Sequence, residues 1–454
     1  MMASVARTPG HAHREHDELS TLFDALRNAA FDGVGISRLA YSEAESQALE
    51  MIEVEARRVG LTTERDAAAN LVATLPGSDG DLPFIACGSH IDSVPQGGNF
   101  DGAAGVVAAL AVMRRLKALE RPLKRTVKLF ALRGEESARF GKPYLGSSCL
   151  FGKLTPSDLE TKAEDDGRSM GDCMRSVGVA VDRIAAREVL LEPTSVAAWV
   201  ELHIEQGPVL TARNLPIGIV SGIRGNIRHR AVECVGQAGH SGAVPRWLRH
   251  DAVFGMCELI THLDAHWRTL LERGHDLVLT SGIVATDPKV NAIARIPELV
   301  RFAFEIRSQS RATLDAVYQL FLSECASVAR ERGVSFRFDE KVEAAGATMD
   351  KTWIERLTAA AGRLNLPFET IASGAGHDAA VFANAGVPSA MVFVRNRHGS
   401  HNPRETMDLS DLIAGIDVMH AAIQEAAMSR GGERLARSID EESDRDPQLE
   451  GRSR

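Results

Sequence analysis

Aromatic residues are scarce in this chain of 454 residues, where they make up 5% of the sequence. Proteins that hold single-stranded nucleic acids stack bases on aromatic side chains, so this scarcity argues against that class. The chain also has no excess of positive charge. It contains 52 lysines and arginines and 61 aspartates and glutamates, which gives a net charge of −9. Neither feature indicates a nucleic-acid surface, and a small molecule is the expected partner.

Long apolar runs are also missing. No stretch approaches the roughly 18 uninterrupted apolar residues that span a bilayer, and the polar N-terminus lacks the apolar core of a secretory signal. The six cysteines form no Cys-x-x-Cys pair. We therefore expect reduced, mostly buried cysteines and a cytoplasmic protein that contacts no membrane. The six are Cys87, Cys149, Cys173, Cys234, Cys257 and Cys325.

Both ends of the chain differ from the rest in composition. Residues 1–18 are polar, and residues 429–454 are rich in charge and poor in apolar side chains. Such segments bury too little apolar surface to offset the entropy lost on ordering, so both are predicted to be disordered. Between them the composition is that of a globular protein, and the length suggests two or three domains.

Short apolar runs alternate with longer helical patterns over much of the chain. The runs at 84–90, 127–132, 198–205 and 389–394 are largely apolar, as buried strands are, and a helical pattern covers 103–120. This alternation is typical of an α/β domain with a mostly parallel sheet.

The middle of the chain has a different pattern. Half-buried strands and long helices follow one another there, which favours an inserted α+β domain at 222–338. The α/β domain would then comprise residues 19–221 and 339–428. The predicted strands and helices of the insert are 229–236, 277–285, 298–308, 248–273 and 311–332.

Metal-capable side chains cluster at the ends of the predicted strands. In an open α/β sheet, ligands bind beyond the carboxyl ends of the strands, so residues placed there come together in space. Imidazole and carboxylate groups suit zinc, manganese, cobalt or nickel, whereas calcium prefers oxygen alone. Two such ions need a shared anion, and Asp101 in a glycine-rich turn is the candidate bridge. The residues at these ends are His90, Asp92, Asp101, Glu135, Glu136, His203 and His401.

A hydrolytic metal site also needs a carboxylate that takes a proton without binding metal. The adjacent Glu135 and Glu136 can divide these roles, one as a ligand and the other as a base. Asp92 follows His90 by two residues and therefore lies on the same side of an extended segment. It can accept a hydrogen bond from the His90 ring and so orient it.

Six motifs, taken in order, resemble the co-catalytic metallo-exopeptidase and aminoacylase clan. Within it they are most similar to the amidase branch, which comprises N-carbamoyl-L-amino-acid hydrolases, β-ureidopropionases and allantoate amidohydrolases. The sequence EESARFG, followed by LGSS, and HIEQGPVL indicate this branch rather than the peptidases. The resemblance covers roughly residues 20–430. The motifs are GSHIDSVPQGGNFDG, RGEESARFG, ELHIEQGPVL, GHSGAVP, SGAGHDA and SHNP.

The resemblance implies two divalent metal ions per subunit. His90, Asp101 and His203 would hold one ion, and Asp101, Glu136 and His401 the other. Glu135 would then be the general base that activates a metal-bound hydroxide for attack on a carbamoyl or amide carbon. His401 is preferred over the nearby His398 because it lies within the SHNP motif.

The resemblance also implies that the insert is a lid and a homodimerisation surface. His240 would reach the active site of the second subunit and stabilise the oxyanion. Asn291 and Arg307 would bind the carboxylate side of the substrate, Arg307 through a bidentate fork. Gln206 would lie near the leaving group. The glycine-flanked His377 is a candidate pocket residue.

Other interpretations of these residues stay open. The Glu135–Glu136 pair can be a solvated helix start, since acids favour helix N-termini. Asp92 can cap a turn, His240 can be a structural loop residue, and Arg307 can form a surface salt bridge. The loop RNRHGSHNP, the motif HSGAVPRW and the Glu before Arg307 depart from the branch and leave the substrate open.

Two other functions also stay open. One is an aminoacylase or dipeptidase that cleaves N-acyl amino acids, and the other is a catalytically inactive binding protein with the same fold.

Overall fold

The computed structural model describes residues 9–429, with side chains from residue 13 onward. Apart from Ser429, the C-terminal segment predicted to be disordered lies outside these residues, as do residues 1–8. Five of the six cysteines are buried and Cys257 is exposed, and all six are free thiols. Between residues 9 and 429, no helix combines the length and the apolarity that crossing a bilayer requires.

The strands are numbered in chain order. They are β1 (Thr62–Arg65), β2 (Leu71–Leu75), β3 (Phe84–His90), β4 (Val127–Leu132), β5 (Val196–Ile204), β6 (Ile217–Ile223), β7 (Gly225–Val235), β8 (Gly239–His240), β9 (Val278–Thr280), β10 (Val284–Ala285), β11 (Arg295–Ile296), β12 (Leu299–Ser308), β13 (Ser335–Arg337), β14 (Val342–Ala344), β15 (Ala347–Thr348), β16 (Phe368–Ser373), β17 (Ser389–Val394), β18 (Asn396–Arg397) and β19 (Thr406–Met407).

The α-helices are numbered in the same way. They are α1 (Pro9–Ala30), α2 (Glu43–Arg58), α3 (Ala103–Lys117), α4 (Leu145–Leu150), α5 (Pro156–Leu159), α6 (Met170–Ser176), α7 (Val181–Ala185), α8 (Val209–Arg213), α9 (Ala252–Glu272), α10 (Arg311–Arg332), α11 (Lys351–Arg363), α12 (Asp378–Asn384) and α13 (Leu409–Met428).

The main sheet is mixed. Its order is β1-β2-β4-β3-β5-β17-β6-β15, with β16 also paired to β6. The central strands β4, β3, β5 and β17 run parallel to one another, while β1, β2 and β15 pair antiparallel at the edges. Helices α3 and α13 pack on one face of the sheet, where their small and branched side chains are buried. The parallel centre places four carboxyl ends at one edge of the sheet.

The middle of the chain forms a second sheet of six strands. All pairings in it are antiparallel, in the order β10-β12-β7-β13, with β9 on β12 and β14 on β7. Along β12 buried and more exposed residues alternate, and the buried face packs against α9 and α10. The run predicted as one strand at 277–285 is divided into β9 and β10. Since β14 pairs with β7, the second sheet extends past residue 338, the predicted end of the insert.

The N-terminal prediction was wrong for residues 9–18. This segment forms the start of helix α1, which continues to Ala30. Leu19, Phe23 and Leu26 bury one face of the helix in the main core. Glu15 is also buried, and its carboxylate lies 2.7 Å from the guanidinium of Arg115 on α3. The polar composition concealed the helix because two of its acids, Glu15 and Glu18, pair with arginines of α3 that are distant in sequence.

Candidate metal centre

Five metal-capable side chains meet at the carboxyl edge of the main sheet. His90 ends β3, His203 stands one residue before the end of β5, and Glu136 follows β4 after a short turn. Asp101 lies just before α3, and His401 lies in the loop between β18 and β19. Because β3 pairs in parallel with both β4 and β5, these strand ends come together.

The turn that carries Asp101 depends on glycine at two positions. Gly102 has a φ of 65°, in the left-handed region, and a Cβ atom there would overlap the His90 ring. A Cβ atom at Gly98 would overlap the carboxylate of Glu405. Glycine tolerates both the backbone angle and the close approach. The turn can therefore bring Asp101 next to the imidazole.

The rings of His90 and His203 direct their Nε2 atoms toward each other. His90 Nδ1 lies 3.1 Å from the carbonyl oxygen of Asp92, and His203 Nδ1 lies 2.9 Å from that of Ile204. A carbonyl oxygen accepts only from a protonated nitrogen, so each neutral ring that donates through Nδ1 would offer the lone pair of Nε2 to a metal ion. The two Nε2 atoms are 3.4 Å apart. Two nitrogens bound to one tetrahedral ion at about 2.0–2.1 Å lie about 3.3–3.4 Å apart, so the pair fits a shared metal ion.

Asp101 completes this first group of ligands. Its Oδ1 atom lies 3.2 Å from His203 Nε2 and 3.8 Å from His90 Nε2. Among the described residues, Oδ1 is buried without a hydrogen-bond partner. Leaving such an acceptor unpaired costs about 1–3 kcal/mol. A divalent cation between the three atoms would remove this cost, so the residues fit a metal ion.

The other oxygen of Asp101 faces a second group. Its Oδ2 atom lies 3.4 Å from His401 Nε2, which is itself 3.2 Å from Glu136 Oε1. The two oxygens of one carboxylate therefore point to two different sets of potential ligands, as a bridging carboxylate requires. In the protein without metal, Asp101 and Glu136 raise the pKa of His401 to about 10. This imidazole is 52% exposed, which makes it the accessible side of the site.

Asp92 organises three neighbours of the site at once. Its Oδ1 lies 3.3 Å from His90 Nδ1 and accepts a hydrogen bond from the backbone N–H of Glu135 at 2.9 Å. Its Oδ2 accepts from the backbone N–H of Glu136 at 3.0 Å. The carboxylate is fully buried. Asp92 thus orients the imidazole and holds both glutamates at the end of β4.

Glu135 stands beside the metal ligands. Its Oε2 atom lies 3.9 Å from His90 Nε2, and it groups with His90 and Glu136 but not with Asp101. Burial raises the pKa of Glu135 well above its usual range, and Glu136 adds to this rise while His90 opposes it. A buried carboxyl group with a shifted pKa beside potential metal ligands is a candidate functional group.

His377 lies at the floor of the site, under His203. The two ring centroids are 4.4 Å apart, and the ring planes meet at 60°. His377 Nε2 lies 2.9 Å from the Ser373 hydroxyl, which donates its own proton to the carbonyl oxygen of Ala375. Burial lowers the pKa of His377 well below its usual range. The side chain lines the site from the loop between β16 and α12.

Of the residues predicted to act on the substrate, Gln206 contacts a candidate metal ligand, whereas Arg307 contacts the loop that leads to His377. Gln206 Nε2 donates to Asp101 Oδ2 at 2.9 Å, and Gln206 Oε1 is buried without a partner among the described residues. Arg307 of β12 donates to the carbonyl oxygen of Gly374 at 2.8 Å, on the loop that leads to His377. Arg307 also forms an ion pair with Glu305 at 3.1 Å, so the salt-bridge interpretation describes part of its contacts.

The structure does not bring His240 and Asn291 into the cluster. His240 is exposed in β8, where its Nδ1 accepts from the backbone N–H of Gly242. Asn291 is half-buried and donates a side-chain hydrogen bond to the carbonyl oxygen of Asp287. Neither belongs to a group of potential ligands in the described part of the chain. His398 is also exposed and outside the cluster, whereas His401 lies inside it.

The sequence analysis missed two residues that contact Asp101. The Ser400 hydroxyl donates to Asp101 Oδ2, and Glu405 accepts hydrogen bonds from the backbone of the Asp101 turn. Burial, with Asp101 nearby, raises the pKa of Glu405 to about 7. Ser400 is the first residue of the SHNP motif and Glu405 lies two residues after it, so their position near His401 was the available signal.

Comparison with known proteins places this geometry in a wider group. Residues 86–425 match the family described as peptidase family M20/M25/M40. An N-carbamoyl-L-amino-acid amidohydrolase of a Pseudomonas species is 32% identical over 390 residues, covering 86% of this chain and 92% of that relative. An allantoate amidohydrolase of Escherichia coli is 31% identical, and the alignment covers 87% of this chain and 94% of that relative.

A solved structure has the same fold, and it matches about as much of this chain as the two relatives do. The hydantoinase/carbamoylase family amidase of Burkholderia ambifaria superimposes with a TM-score of 0.80 at 28% identity. The match covers 91% of this chain and 96% of that chain. The similarity extends through both sheets rather than over the metal ligands alone.

Proposed function

The chain belongs to peptidase family M20/M25/M40, and from this we propose that it is a metal-dependent amidohydrolase of small N-carbamoyl or ureido compounds that carry a carboxylate. The observation that carries the proposal is the division of the Asp101 carboxylate. One of its oxygens lies 3.2 Å from His203 Nε2 and the other 3.4 Å from His401 Nε2. Such an arrangement supports two ions with one shared ligand.

In the proposed site, His90, Asp101 and His203 hold one ion, and Asp101, Glu136 and His401 hold the other. Bound zinc, manganese, cobalt or nickel ions would polarise the scissile carbonyl group and make water acidic enough to attack it at neutral pH. Proton transfer and substrate binding are assigned to the protein's own side chains.

Glu135 takes the proton of the attacking water and delivers it to the leaving nitrogen. Glu135 forms a possible ligand group with His90 and Glu136, but neither of the two groups that contain Asp101 includes it, which supports the role of a base beside the two-ion site. Asp92 keeps Glu135 in place through the backbone hydrogen bond of 2.9 Å. The two residues together provide a proton carrier with a fixed position.

Substrate binding is assigned to residues beside the metal ligands and on the second sheet. Arg307 is proposed to bind the substrate carboxylate through its planar fork, with Asn291 as a second donor. Its hydrogen bond to Gly374 already links the second sheet to the loop of His377. The unpaired Oε1 of Gln206 can accept an N–H of the leaving group. His377 completes the pocket floor.

The insert is proposed to act as a lid and as the contact surface of a homodimer. The two chain segments that connect it to the main sheet cross at Gly225 and Gly346, where a Cβ atom on either would overlap the backbone of the other. Around His240 the insert exposes large apolar side chains, including Trp247 at 80% and Ile293 at 104% of full exposure. Exposed apolar groups of this size are typical of a subunit interface. His240 would then serve the second subunit's site.

Ammonia release tests the proposed reaction. The purified protein, loaded in turn with zinc, manganese, cobalt or nickel, is assayed against N-carbamoyl-L-amino acids, β-ureidopropionate and allantoate. Hydrolysis of a carbamoyl or ureido group is expected to release ammonia, whereas N-acetyl amino acids and dipeptides release none from their cleaved bond. Turnover of N-acyl compounds alone would favour the aminoacylase or dipeptidase. No turnover of any compound by metal-loaded protein would favour a binding protein.

A mixing experiment tests whether His240 acts across a dimer. We expect His240→Ala and Glu135→Gln dimers each to be nearly inactive. After unfolding and refolding together at equal amounts, they should recover about a quarter of the parental activity, because half of the random dimers have one site with both residues intact. Each variant refolded alone is the control. A mixture no more active than its components would contradict an action of His240 on the second subunit.

A further inference from the structure

We propose that Glu405 is a positioning residue that, together with Ser400, holds the shared metal ligand Asp101 in its bridging orientation. The proposal rests on the two-ion site described above. Glu405 does not contact the space where substrate or metal would lie; it acts through the residues that do.

The first support is the way in which Glu405 holds the turn before Asp101. Its side chain is 5% exposed. Its Oε1 atom accepts hydrogen bonds from the backbone N–H groups of Phe100 at 2.8 Å and of Asp101 at 3.2 Å. Because the carboxylate occupies the space that a side chain at Gly98 would need, it is seated directly on this turn. A carboxylate that accepts two backbone N–H groups fixes the direction of the chain there.

The second support is the hydroxyl group between the two carboxylates. Ser400 Oγ lies 2.8 Å from Glu405 Oε2 and also contacts Asp101 Oδ2. A hydroxyl has one proton, so it donates to one carboxylate at a time. The donation to Asp101 directs Oδ2, the oxygen that faces His401. Contact with Glu405 in turn limits the rotation of the hydroxyl.

The third support is that these contacts join two segments far apart in sequence. One segment carries Asp101, and the other carries Ser400 and His401, which are adjacent. Asp101 and His401 both belong to the second ligand group, with Glu136. The first ligand group, with His90 and His203, contains Asp101 but not His401. Loss of Glu405 should therefore affect the ion held by the second group more than the ion held by His90 and His203.

Zinc binding to the full chain tests this inference. The parent, Glu405→Ala, Glu405→Gln and Ser400→Ala are stripped with a chelator and titrated with zinc against a chromogenic competitor. The matched control is Asp408→Asn, which alters a carboxylate on the same segment that is 45% exposed and paired with Arg397 at 2.9 Å. Bound ions per chain and the two dissociation constants are measured. Circular dichroism reports whether each variant is folded.

We expect the parent and Asp408→Asn to bind two ions alike. Glu405→Ala should weaken the more weakly bound ion by about 10- to 100-fold, as is typical when a residue that orients a ligand is lost. Ser400→Ala should shift the same constant in the same direction. Glu405→Gln should lose less than the alanine variant, because its carbonyl oxygen can still accept from both backbone N–H groups. A purely structural role would change the two constants equally or neither.

Besides an equal weakening of both ions, two results would overturn the positioning role. One is a folded Glu405→Ala that binds both ions with the parental constants. The other, decisive if the alanine variant does not fold, is parental zinc affinity in both Ser400→Ala and Glu405→Gln. A parent that binds fewer than two ions would instead contradict the proposed function, and the positioning role with it.

Discussion

Glu135→Gln is expected to bind both divalent ions and to lose about 100- to 10,000-fold in kcat, the range that general acid–base catalysis contributes. Glutamine matches glutamate in shape, and the backbone N–H of residue 135 would still donate to Asp92. The amide cannot accept a proton from water. Since Glu135 lies outside the ligand group of Asp101, its charge is not needed to hold an ion there.

The measurement combines metal content with turnover. Metal-loaded Glu135→Gln and parent are compared for ions per chain and for steady-state kcat and KM. The neighbouring Glu136→Ala is the contrasting variant, because it removes a ligand and should bind fewer ions. If Glu135→Gln turned over at near the parental rate, the base would have to be another residue. If it lost metal as Glu136→Ala does, Glu135 would be a ligand instead.

Asp101→Asn is expected to have the broadest effect of any single isosteric change. An amide has one oxygen in place of two, and its NH₂ group would face His203 Nε2 or His401 Nε2. The variant should lose at least one of the two ions and more than about 100-fold in activity, beyond the upper range for residues that only orient a ligand. Metal content after dialysis and turnover with excess metal are the readouts.

The control for this change is Asp251→Asn, which alters a buried aspartate of the second domain. Asp251 caps α9 by accepting from the backbone N–H groups of Val253 and Phe254, and asparagine is an equally good cap. It should leave metal content unchanged. Two ions bound by Asp101→Asn with parental affinity would show that the aspartate is not the bridge.

Much of the main sheet could be predicted from the sequence. The runs at 84–90, 127–132 and 389–394 are the observed β3, β4 and β17 without any shift, because strands buried on both faces are continuously apolar. The positions at or near predicted strand ends likewise predict one shared edge of the sheet for His90, Asp101, Glu136, His203 and His401. The family resemblance drawn from the motifs is confirmed by the match over residues 86–425.

The parts that were missed depend on pairing between distant segments. Helix α1 looked disordered because Glu15 is charged, and its partner Arg115 lies 100 residues further along the chain. Glu405 and Ser400 have no periodic pattern, and only the fold shows that they reach the Asp101 turn. Strand β14 is three residues long and is defined by its pairing with β7. The local composition of the sequence does not predict these long-range contacts.

His240 and Asn291 lie away from the metal-capable cluster in this conformation of one chain. His240 is exposed and Asn291 is half-buried. The proposed role of His240 depends on a second subunit, and that of Asn291 depends on lid closure. The mixing experiment addresses the first of these conditions directly.

The central claim is that one aspartate is shared by two cations. Its most direct measurement is an anomalous difference map from crystals grown with manganese or zinc. We expect two peaks about 3.5–4 Å apart, one next to His90 and His203 and the other next to Glu136 and His401, with Asp101 between them. A map with a single peak, or with the Asp101 carboxylate turned away from both, would contradict the account.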